Sequence, residues 1–514
     1  MSLKEDKENG RQHSDKQASG QQANAQQASG QPPNGQQQSS QPSNAQQPMA
    51  DHFTQGSIKN FLGGSTNGFI EFFKTFSEGT FSTKMSFFIM GFANLVNKQI
   101  IKGLIYLLIE ISFIIYLFTN GIPAIIGLGT LGTKTQGWEF DPVRGINVLV
   151  QGHNSMLMLI LGVTAIILSI LFILVYISNI KSARLVQQLS EQGKHIPCFN
   201  DDLRDLMDSR FHITLLTVPI LGIVIFTIIP LIFMILIAFT NFDASHQPPG
   251  NLFTWVGFLN FKQLLFESST LSKTFFPILS WTTIWAVLAT FSNYFFGIIV
   301  ALLINNKGIK FKKGWRTIFV LTIAVPQFVS LLIMRNMLND YGPVNELFLS
   351  LGWITQRIPF LTDALMAKVS VLLVNLWIGI PYTMLITTGI LMNIPEDLYE
   401  AARVDGASPY KMFVKITLPQ ILFVTLPYLI TQFIGNINNF NVIYLLTNGG
   451  PTSSSYYFAG KTDLLITWLY KLTADRKDYS IASTIGIIVF VISVVISLIT
   501  YTNSSSYKKE DEFT

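Results

Sequence analysis

The sequence of 514 residues is poor in cysteine, histidine and charge. Its single cysteine, Cys198, excludes an intrachain disulfide and has no partner cysteine for a zinc cluster. The six histidines are scattered and lack the spacing of metal ligands. Only 13% of the residues are charged, whereas about a quarter is usual for a soluble protein. These shortages exclude a disulfide scaffold, disfavour a metal site and argue against a soluble globular protein.

The chain also lacks a motif for converting energy. The phosphate-binding loop G-x-x-x-x-G-K-[ST] is absent from the sequence. Acidic residues that could relay protons within apolar segments are nearly absent, and the exception, Glu110, lies among aliphatic residues and is expected to face neighbouring protein. We therefore expect no enzymatic activity and no cofactor in this chain, and we expect a partner to supply the energy for any work.

Long apolar runs make up most of the chain. Several exceed the roughly 20 residues that a helix needs to cross a bilayer. The sequence predicts eight membrane spans, at residues 100–118, 154–178, 212–240, 277–305, 317–338, 367–392, 420–446 and 481–502. The predicted fold is an all-α polytopic membrane protein, with the first three spans within residues 100–240.

The segments outside these spans differ in composition. Residues 1–52 are rich in Gln, Ser, Asn, Gly and Pro and have too little apolar surface to fold, so we expect a disordered cytoplasmic tail, either regulatory or dispensable. Residues 53–99 mix phenylalanine with charged residues in apolar runs too short to span, which favours interfacial helices. Residues 504–514 form a short C-terminal tail.

The positions of Lys and Arg predict the orientation of the spans, because cytoplasmic loops carry an excess of basic residues. The second loop contains Lys181, Arg184, Lys194, Arg204 and Arg210, and the fourth contains Lys307, Lys310, Lys312, Lys313 and Arg316. The first and third loops have only Lys134, Arg144, Lys262 and Lys273. Even-numbered loops and both termini are therefore predicted to be cytoplasmic, and the third loop, 241–276, is a short external loop.

A polar hairpin at residues 395–419 separates the sixth and seventh predicted spans, which makes it cytoplasmic. Gly406 can adopt the left-handed conformation that ends a helix. Ser408 is then a suitable N-cap, with Pro409 at the first helical position. The sequence predicts two short helical pieces here, between long apolar segments.

This hairpin resembles the coupling loop of ABC-importer permeases, whose pattern is Glu-Ala-Ala, three residues, Gly, nine residues, Ile, one residue and Leu-Pro. Every position of the pattern is matched, by Glu400, Ala401, Ala402, Gly406, Ile416, Leu418 and Pro419. The resemblance implies that the hairpin docks into a groove on a cytoplasmic ATPase, where Glu400 is expected to make a charge-assisted contact. A helix-turn-helix linker without a docking role is the alternative.

Two polar stretches within predicted spans offer groups for a neutral, hydroxyl-rich solute. Residues 377–382 of the sixth span read Trp-Ile-Gly-Ile-Pro-Tyr, where Gly and Pro are expected to loosen the helix beside two aromatic rings. The seventh span contains Asn436, Asn438, Asn439 and Asn441. At about 100° per residue, Asn436 and Asn439 share one face and the other two share a nearly opposite face. These amides either meet solute or join neighbouring helices, and the residues themselves leave both interpretations open.

From about residue 239 onward the chain resembles the MalF-type permease subunit of maltose and maltodextrin importers. The matching stretches are GIPYTML, IPEDLYEAARVDGASPYKMFVKITLP, NINNFNVIYLLTNGGP and AGKTDLL. The resemblance implies a type I ABC-importer permease core at residues 277–503, with a sugar site halfway across the membrane. The substrate contacts that it implies are Ile378, Gly379, Tyr382, Gly435, Asn436 and Asn439. Two features depart from the family, since Gly435 replaces a large aromatic residue and the large domain of the third loop is missing.

On this resemblance we expect a permease subunit of a bacterial importer that moves maltodextrin-type oligosaccharides across the plasma membrane by alternating access. The implied partners are a second, MalG-like permease subunit, a homodimeric ABC ATPase that holds ATP and magnesium, and an external solute-binding protein. An importer for another sugar is an alternative, whereas glycerol phosphate would call for basic residues that the two polar stretches lack. An ion-coupled carrier and a membrane scaffold are further alternatives, which the scarce acids and the asparagine cluster respectively disfavour.

Overall fold

The computed structural model describes residues 65–306 and 308–502. The tails predicted at 1–52 and 504–514, and the first part of the segment 53–99, lie outside the described residues. Within the described ranges the chain is helical, apart from one two-stranded sheet and the connecting loops.

The helices and strands fall into two groups along the chain, on either side of the loop that follows residue 237. Up to that residue they are α1 (Ser65–Glu78), α2 (Phe81–Met85), α3 (Phe92–Val96), α4 (Ile100–Tyr116), α5 (Ile122–Thr130), β1 (Gly137–Asp141), β2 (Ile146–Val150), α6 (Ser155–Glu191), α7 (Phe199–Met207), α8 (Phe211–Ile223) and α9 (Ile229–Ile237). Beyond it they are α10 (Leu259–Leu265), α11 (Thr270–Asn305), α12 (Lys312–Ala324), α13 (Gln327–Met337), α14 (Pro343–Ser350), α15 (Ala364–Asn393), α16 (Glu396–Val404), α17 (Pro409–Met412), α18 (Leu418–Ile437), α19 (Phe440–Thr447), α20 (Leu465–Lys471) and α21 (Tyr479–Thr502).

Seven helical runs in the described chain are long and apolar enough to cross a membrane. They are Ile100–Thr130, Ser155–Glu191, Phe211–Ile237, Thr270–Asn305, Ala364–Asn393, Pro409–Thr447 and Tyr479–Thr502. Helices α12 and α13 together make an eighth candidate, although they meet at an angle of 91°. The predicted all-α membrane fold with about eight spans is confirmed, and the fifth span, predicted at 317–338, is sharply bent.

Pro326 explains the bend between α12 and α13. A proline pushes the residue before it out of the helical conformation, and Val325 accordingly has φ −77° and ψ 128°. Helix α12 must therefore end at Ala324, and α13 begins immediately after the proline, at Gln327. The bend places Gln327 next to Asn441 of α19.

Three π-helical turns precede prolines inside the spans. They are Leu117–Gly121, Val224–Ile228 and Phe413–Thr417, and each ends two residues before Pro123, Pro230 or Pro419. A proline has no N–H for the carbonyl four residues earlier, and its ring clashes with that carbonyl, so a widened turn accommodates it. The last of these turns joins α17 to α18 without a break. The hairpin's second helical piece is therefore the beginning of the seventh span, and its prediction as a separate piece is wrong.

Helix α11 lies at the centre of the core, where it packs against α15 and α18. Its Trp285 is completely buried, and the indole Nε1 donates to the backbone oxygen of Asn436 at 3.1 Å. One turn earlier, Trp281 Nε1 donates to the backbone oxygen of Thr462, also at 3.1 Å. Each indole thus buries a large apolar surface while its polar N–H is satisfied. These bonds attach α11 to the seventh span and to the loop that follows it.

The loops contain structure that the sequence did not predict. In the first loop β1 pairs antiparallel with β2, with Trp138 opposite Leu149. Asp141 holds the turn between them, because its Oδ1 accepts from the backbone N–H groups of Val143 and Arg144. The predicted external loop 241–276 contains α10, and α11 begins at Thr270 because Ser269 caps it through a bond from Ser272 N–H.

Short helices before α4 are held by polar side chains of neighbouring spans. Asn179 of α6 accepts from the backbone N–H of Gly91 at 2.8 Å and donates to the backbone oxygen of Ser86 at 2.9 Å. Glu110 of α4 accepts from the backbone N–H of Met90 at 2.8 Å. The expectation that Glu110 faces neighbouring protein is confirmed, whereas the interfacial position of this segment stays a prediction.

Candidate substrate-binding cavity

A cavity of about 160 Å³ lies between α11, α15 and α18, near the midpoints of α11 and α15. Its walls consist mainly of amides, hydroxyls and tyrosines, and the described lining residues include none with a charge. The lining residues are Thr290, Asn293, Tyr294, Gln327, Asn375, Ile378, Gly379, Tyr382, Thr383, Tyr428, Leu429, Gln432, Asn436 and Asn439. The structure thus brings five of the six predicted substrate contacts to one place.

Asn436 and Asn439 contact each other directly, but they do not share a continuous helix. Helix α18 ends at Ile437, and Asn439 is the N-cap of α19, whose Oδ1 accepts from the backbone N–H of Val442 at 3.2 Å. The Nδ2 of Asn439 donates to Asn436 Oδ1 at 3.2 Å, and Asn436 Nδ2 donates to Thr290 Oγ1 at 3.0 Å. The prediction of one uninterrupted helix here is wrong, because the asparagine side chain caps a new helix in place of the backbone ladder.

Asn438 and Asn441 lie outside the cavity lining. The Nδ2 of Asn438 donates to the backbone oxygen of Ile434 at 3.2 Å, and the Asn438 side chain is exposed. Asn441 Nδ2 is 3.5 Å from Gln327 Oε1, so this amide joins α19 to the beginning of α13. Of the four asparagines, Asn436 and Asn439 therefore line the cavity and Asn441 links two helices, whereas, among the described residues, Asn438 bonds only within its own segment.

Ile378, Gly379 and Tyr382 lie in the middle of α15. The helix runs from Ala364 to Asn393 with Pro381 inside it, so the residues predicted to loosen the helix at 377–382 do not interrupt it. Packing along α11 holds this part of α15 in place. A Cβ atom added at Gly379 would lie 2.5 Å from Asn293 Cγ, so glycine is required for α11 to approach here. Tyr382 keeps 48% of its surface exposed.

Gly435 is the predicted contact that the cavity does not include. It is exposed, and a Cβ atom added there would have nothing within 4 Å. The open space explains how this position can hold a large aromatic side chain in other members of the resembled family. The predicted contact between Gly435 and the substrate stays a prediction.

Several residues that line the cavity were not predicted from the sequence. Isolated polar residues in apolar spans could have indicated them. The clearest are Asn293 and Asn375, because an asparagine in a membrane span is costly without a partner. Gln432 and Thr383 are further examples. Thr383 Oγ1 lies 3.3 Å from the Tyr428 hydroxyl, which connects α15 to α18 beside the cavity. Hydroxyls in helices often bond only to their own backbone, so their sequence signal is weaker.

The hairpin after α15 has the helix end and the N-cap that the sequence predicts. Gly406 has φ 76°, and Ser408 Oγ accepts from the backbone N–H of Lys411 at 3.3 Å, so the predicted helix end and N-cap are confirmed. Tyr399 and Thr417 join the two arms through their hydroxyls at 2.9 Å. The Glu400 side chain is exposed, and within the described part of the chain it has no ion-pair partner.

The remaining matched positions lie on both sides of this hairpin. Ala401 and Pro419 are exposed, and Ala402, Ile416 and Leu418 are half-buried. Val404 is 88% exposed and Tyr410 77% exposed. An apolar and aromatic surface of this kind on short polar helices is typical of a contact with another protein.

Comparison with known proteins identifies the family. A model of the family described as binding-protein-dependent transport system inner membrane component matches residues 293–508, which include the hairpin and every lining residue of the cavity except Thr290. The galactooligosaccharides transport system permease protein GanP of Bacillus subtilis is 35% identical over 424 residues, which cover 82% of this chain and 97% of GanP. The chain belongs to this family of transport components.

Two other transport permeases are also similar to this chain. The maltodextrin transport system permease protein MalC of Streptococcus pneumoniae is 36% identical over 434 residues, which cover 82% of this chain and 95% of MalC. The maltose/maltodextrin transport system permease protein MalF of Klebsiella aerogenes is 34% identical over 256 residues, which cover 49% of each protein. The resemblance to MalF-type permeases is confirmed, and the chain is a multi-pass membrane protein of that type.

Proposed function

We propose that this chain is the permease subunit of a bacterial ATP-driven importer for maltodextrin-type oligosaccharides. The uncharged cavity at the middle of the spans carries the proposal. Amides such as those of Asn436 and Asn439 can both donate to and accept from sugar hydroxyls, and the exposed ring of Tyr382 offers an apolar face. An uncharged lining suits a neutral solute, because charged side chains along a membrane path would instead serve to bind or repel ions.

A galacto-oligosaccharide is the second candidate solute. GanP and MalC are 35% and 36% identical to this chain over similar lengths, so their names support an oligosaccharide without separating the two sugars. Maltodextrin is favoured over a galacto-oligosaccharide by the resemblance to MalF-type subunits. This resemblance includes the contact pair of Asn436 and Asn439 and the stretch NINNFNVIYLLTNGGP.

The cavity and the hairpin support the proposed partners. At about 160 Å³ the cavity is smaller than the roughly 300–1,000 Å³ of usual ligand sites, which fits a site completed by a second, MalG-like permease subunit. The exposed Glu400 and its apolar neighbours fit a homodimeric ATPase on the cytoplasmic side, which would hold ATP and magnesium. An external solute-binding protein would deliver the sugar. Both termini are proposed to be cytoplasmic.

A helical segment without a break offers a route from the hairpin to the cavity. It runs from Pro409 to Ile437 and contains both Lys411 and Asn436, which 25 residues at about 1.5 Å each place about 38 Å apart. Closure of the ATPases would move the hairpin, and this segment would carry that movement to the Asn436 wall. Such a lever would reorient the site between the two sides of the membrane, as alternating access requires.

The proposal is tested by purifying the tagged full-length chain from its native membrane in mild detergent and identifying the bound proteins by mass. We expect a second permease, an ABC ATPase and a sugar-binding protein, together with uptake of maltotriose by the reconstituted complex. Uptake of galactobiose but not of maltotriose would support the second candidate solute. A chain that is recovered alone and still transports would contradict the proposal in favour of an ion-coupled carrier.

A further inference from the structure

A basic segment lies between α11 and α12, where the sequence predicts a cytoplasmic loop. Residues 307–316 read KGIKFKKGWR, with five basic residues and no acidic residue. The nearest acidic residues in the sequence are Glu267 and Asp340. The structure describes residues 308–316, which we call the basic segment. Its positive charge therefore has no balancing acid nearby along the chain.

The charges of the basic segment are also unbalanced in space. Basic residues of the second loop form ion pairs, as Arg210 does with Asp205 at 2.9 Å. Among the described residues, no acidic side chain forms an ion pair with the basic segment. A cluster of unpaired basic residues beside a membrane span attracts anionic lipid headgroups.

Two basic side chains hold the segment against the neighbouring spans. The Nζ of Lys312 donates to the backbone oxygen of Asn305 at 3.0 Å, and the guanidinium of Arg316 donates to Asn305 Oδ1. Asn305 Nδ2 in turn donates to Thr388 Oγ1 of α15 at 3.1 Å. These bonds fix the segment near the ends of α11 and α15, so its remaining side chains have a defined position relative to the membrane.

Exposed aromatic rings alternate with exposed lysines in this segment. Lys310 and Lys313 are exposed, and the rings of Phe311 and Trp315 are 76% and 48% exposed. Phe311 has the left-handed φ of 61°, and its ring lies over Gly314, where an added Cβ atom would overlap it. Aromatic rings beside basic residues at the end of a span are typical of the interfacial region of a bilayer.

The helix that follows favours lipid over a soluble protein as the partner of this segment. Within the described chain no residue of α12 is buried, and Ile318 and Leu321 are 55% and 62% exposed. Helices α12 and α13 together make a candidate membrane span. The basic segment is continuous with this apolar surface, which places it at the boundary between hydrocarbon and headgroups.

We propose that the basic segment binds anionic phospholipids of the cytoplasmic leaflet. Lys310 and Lys313 contact the lipid phosphates, while Phe311 and Trp315 enter the adjoining acyl region. Phosphatidylglycerol carries a net negative charge, whereas phosphatidylcholine balances its phosphate with its own ammonium group, so the lysines favour the former. This surface lies outside the cavity, and its affinity for lipid does not depend on the transported solute.

Quenching of Trp315 fluorescence by brominated lipids tests the proposal. The full-length chain, together with the proteins that accompany it, is reconstituted in mixtures of phosphatidylcholine and phosphatidylglycerol, with one of the two lipids brominated on its acyl chains. The difference in fluorescence between each protein and its Trp315→Phe counterpart isolates this tryptophan from the others.

The variants remove equal charge from two exposed places. The test variant combines Lys310→Gln with Lys313→Gln, and the control combines Lys194→Gln with Arg204→Gln in the second loop, where both residues are exposed. Because all four side chains are exposed, the membrane fold should persist in both variants.

We expect brominated phosphatidylglycerol to associate with Trp315 about tenfold more strongly than brominated phosphatidylcholine, since each nearby lysine attracts the anionic lipid. The test variant should reduce this preference to about twofold or less, and the control should keep it. Salt at about 0.5 M should also reduce the preference of the wild type, because it screens exposed charges, and this measurement replaces the test variant if that variant does not reconstitute. Inorganic phosphate should have no larger effect than chloride at the same ionic strength.

Four other results would overturn the proposal. Equal quenching by both lipids, or a full preference in the test variant, would show that the basic segment does not select anionic lipid. An equal loss in the control would assign the preference to the overall charge of the protein. Displacement by inorganic phosphate beyond the effect of chloride would assign the lysines to a soluble anion. Quenching that is absent in the complex but present in the chain alone would show that a partner protein covers the segment.

Discussion

Asn439 has two separable roles at the scale of single residues. Its Oδ1 caps α19 by accepting from Val442 N–H, and its Nδ2 points toward Asn436 at the cavity. Asn436 is fixed more firmly, because its backbone oxygen accepts from Trp285 and its amide donates to Thr290. The half-buried Asn439 is therefore the more available of the two amides for a solute.

Substitution of Asn439 by serine and by alanine separates these roles. Serine is also a good N-cap, so Asn439→Ser should keep the stability of α19, whereas Asn439→Ala should lower it by about 1 kcal/mol. Both substitutions remove the amide and should weaken maltotriose uptake by a similar factor, which uptake and thermal unfolding of the purified complex would measure. Full uptake by the serine variant would mean that Asn439 serves only as a cap and that the cavity amides join helices.

Gly379 is required by the close approach of Asn293. An added methyl group at this position would overlap the Asn293 amide, and overpacking of this kind typically costs about 1–3 kcal/mol. We expect Gly379→Ala to reduce uptake about tenfold, while Gly389→Ala on the same helix, where nothing lies within 4 Å, serves as the control. Adding Asn293→Ala to Gly379→Ala should cause little further loss, since both changes affect one contact. Fully additive losses would contradict this explanation.

At the scale of elements, the sequence was sufficient to predict the ends of helices where one or two residues determine the backbone conformation. The end of α16 just before Gly406 and the cap at Ser408 followed from glycine and serine chemistry alone. The approximate number of the spans followed from long apolar runs. The π-helical turns and the new helix at Asn439 could not be derived in this way, because neighbouring helices decide whether a proline or an asparagine interrupts a span.

The cavity was predictable to the extent that its residues were concentrated in the sequence. Asn436 and Asn439 were found because four asparagines lie within six residues. Asn293 and Asn375 are isolated in apolar spans, and only the packing of α11 against α15 places them together. The β1–β2 hairpin was missed for a related reason, because its strands of five residues are short beside the apolar runs that flank them.

Glu400 tests the role of the hairpin as an element. Glu400→Lys reverses an exposed charge without a partner in the described chain, so the membrane fold should persist. If the glutamate pairs with a basic residue of the ATPase, loss of a desolvated pair costs about 2–5 kcal/mol. We expect ATP hydrolysis by the purified complex to become uncoupled from sugar uptake, and uptake to fall at least about tenfold. The exposed Asp405→Lys on the same hairpin is the control, and normal uptake by Glu400→Lys would exclude the coupling role.

At the scale of the whole molecule, the loop after α19 connects helices that are distant in sequence. The side chain of Asp463 is fully buried and accepts from Lys471 Nζ at 2.7 Å, from Gly460 N–H at 2.7 Å and from Thr467 Oγ1 at 2.8 Å. In the same loop, burial and the hydrogen bond to Asp478 raise the pKa of Tyr457.

Two tryptophans attach this loop to the core. Trp281 of α11 donates to the backbone oxygen of Thr462, and Trp468 of α20 donates to that of Tyr457 at 2.8 Å. Gly449 completes the packing, because its φ of 74° and missing side chain leave room for the Asp463 carboxylate. The loop therefore fixes α11, α20 and the end of the seventh span relative to one another, and its loss should affect the stability of the entire helical core.

Asp463→Asn should consequently destabilise the whole chain. The substitution leaves the largely buried Lys471 without its counter-ion, and breaking one partner of a buried pair costs about 3–5 kcal/mol. The control is Glu346→Gln, which breaks the exposed pair with Arg357, whose side chains are 56% and 43% exposed, and should cost no more than about 1 kcal/mol. Thermal unfolding of the purified chain in detergent measures both changes. The double variant Asp463→Asn with Lys471→Met should recover part of the stability, because it removes the stranded charge. Equal, small effects of the two single variants would show that the loop does not hold the core together.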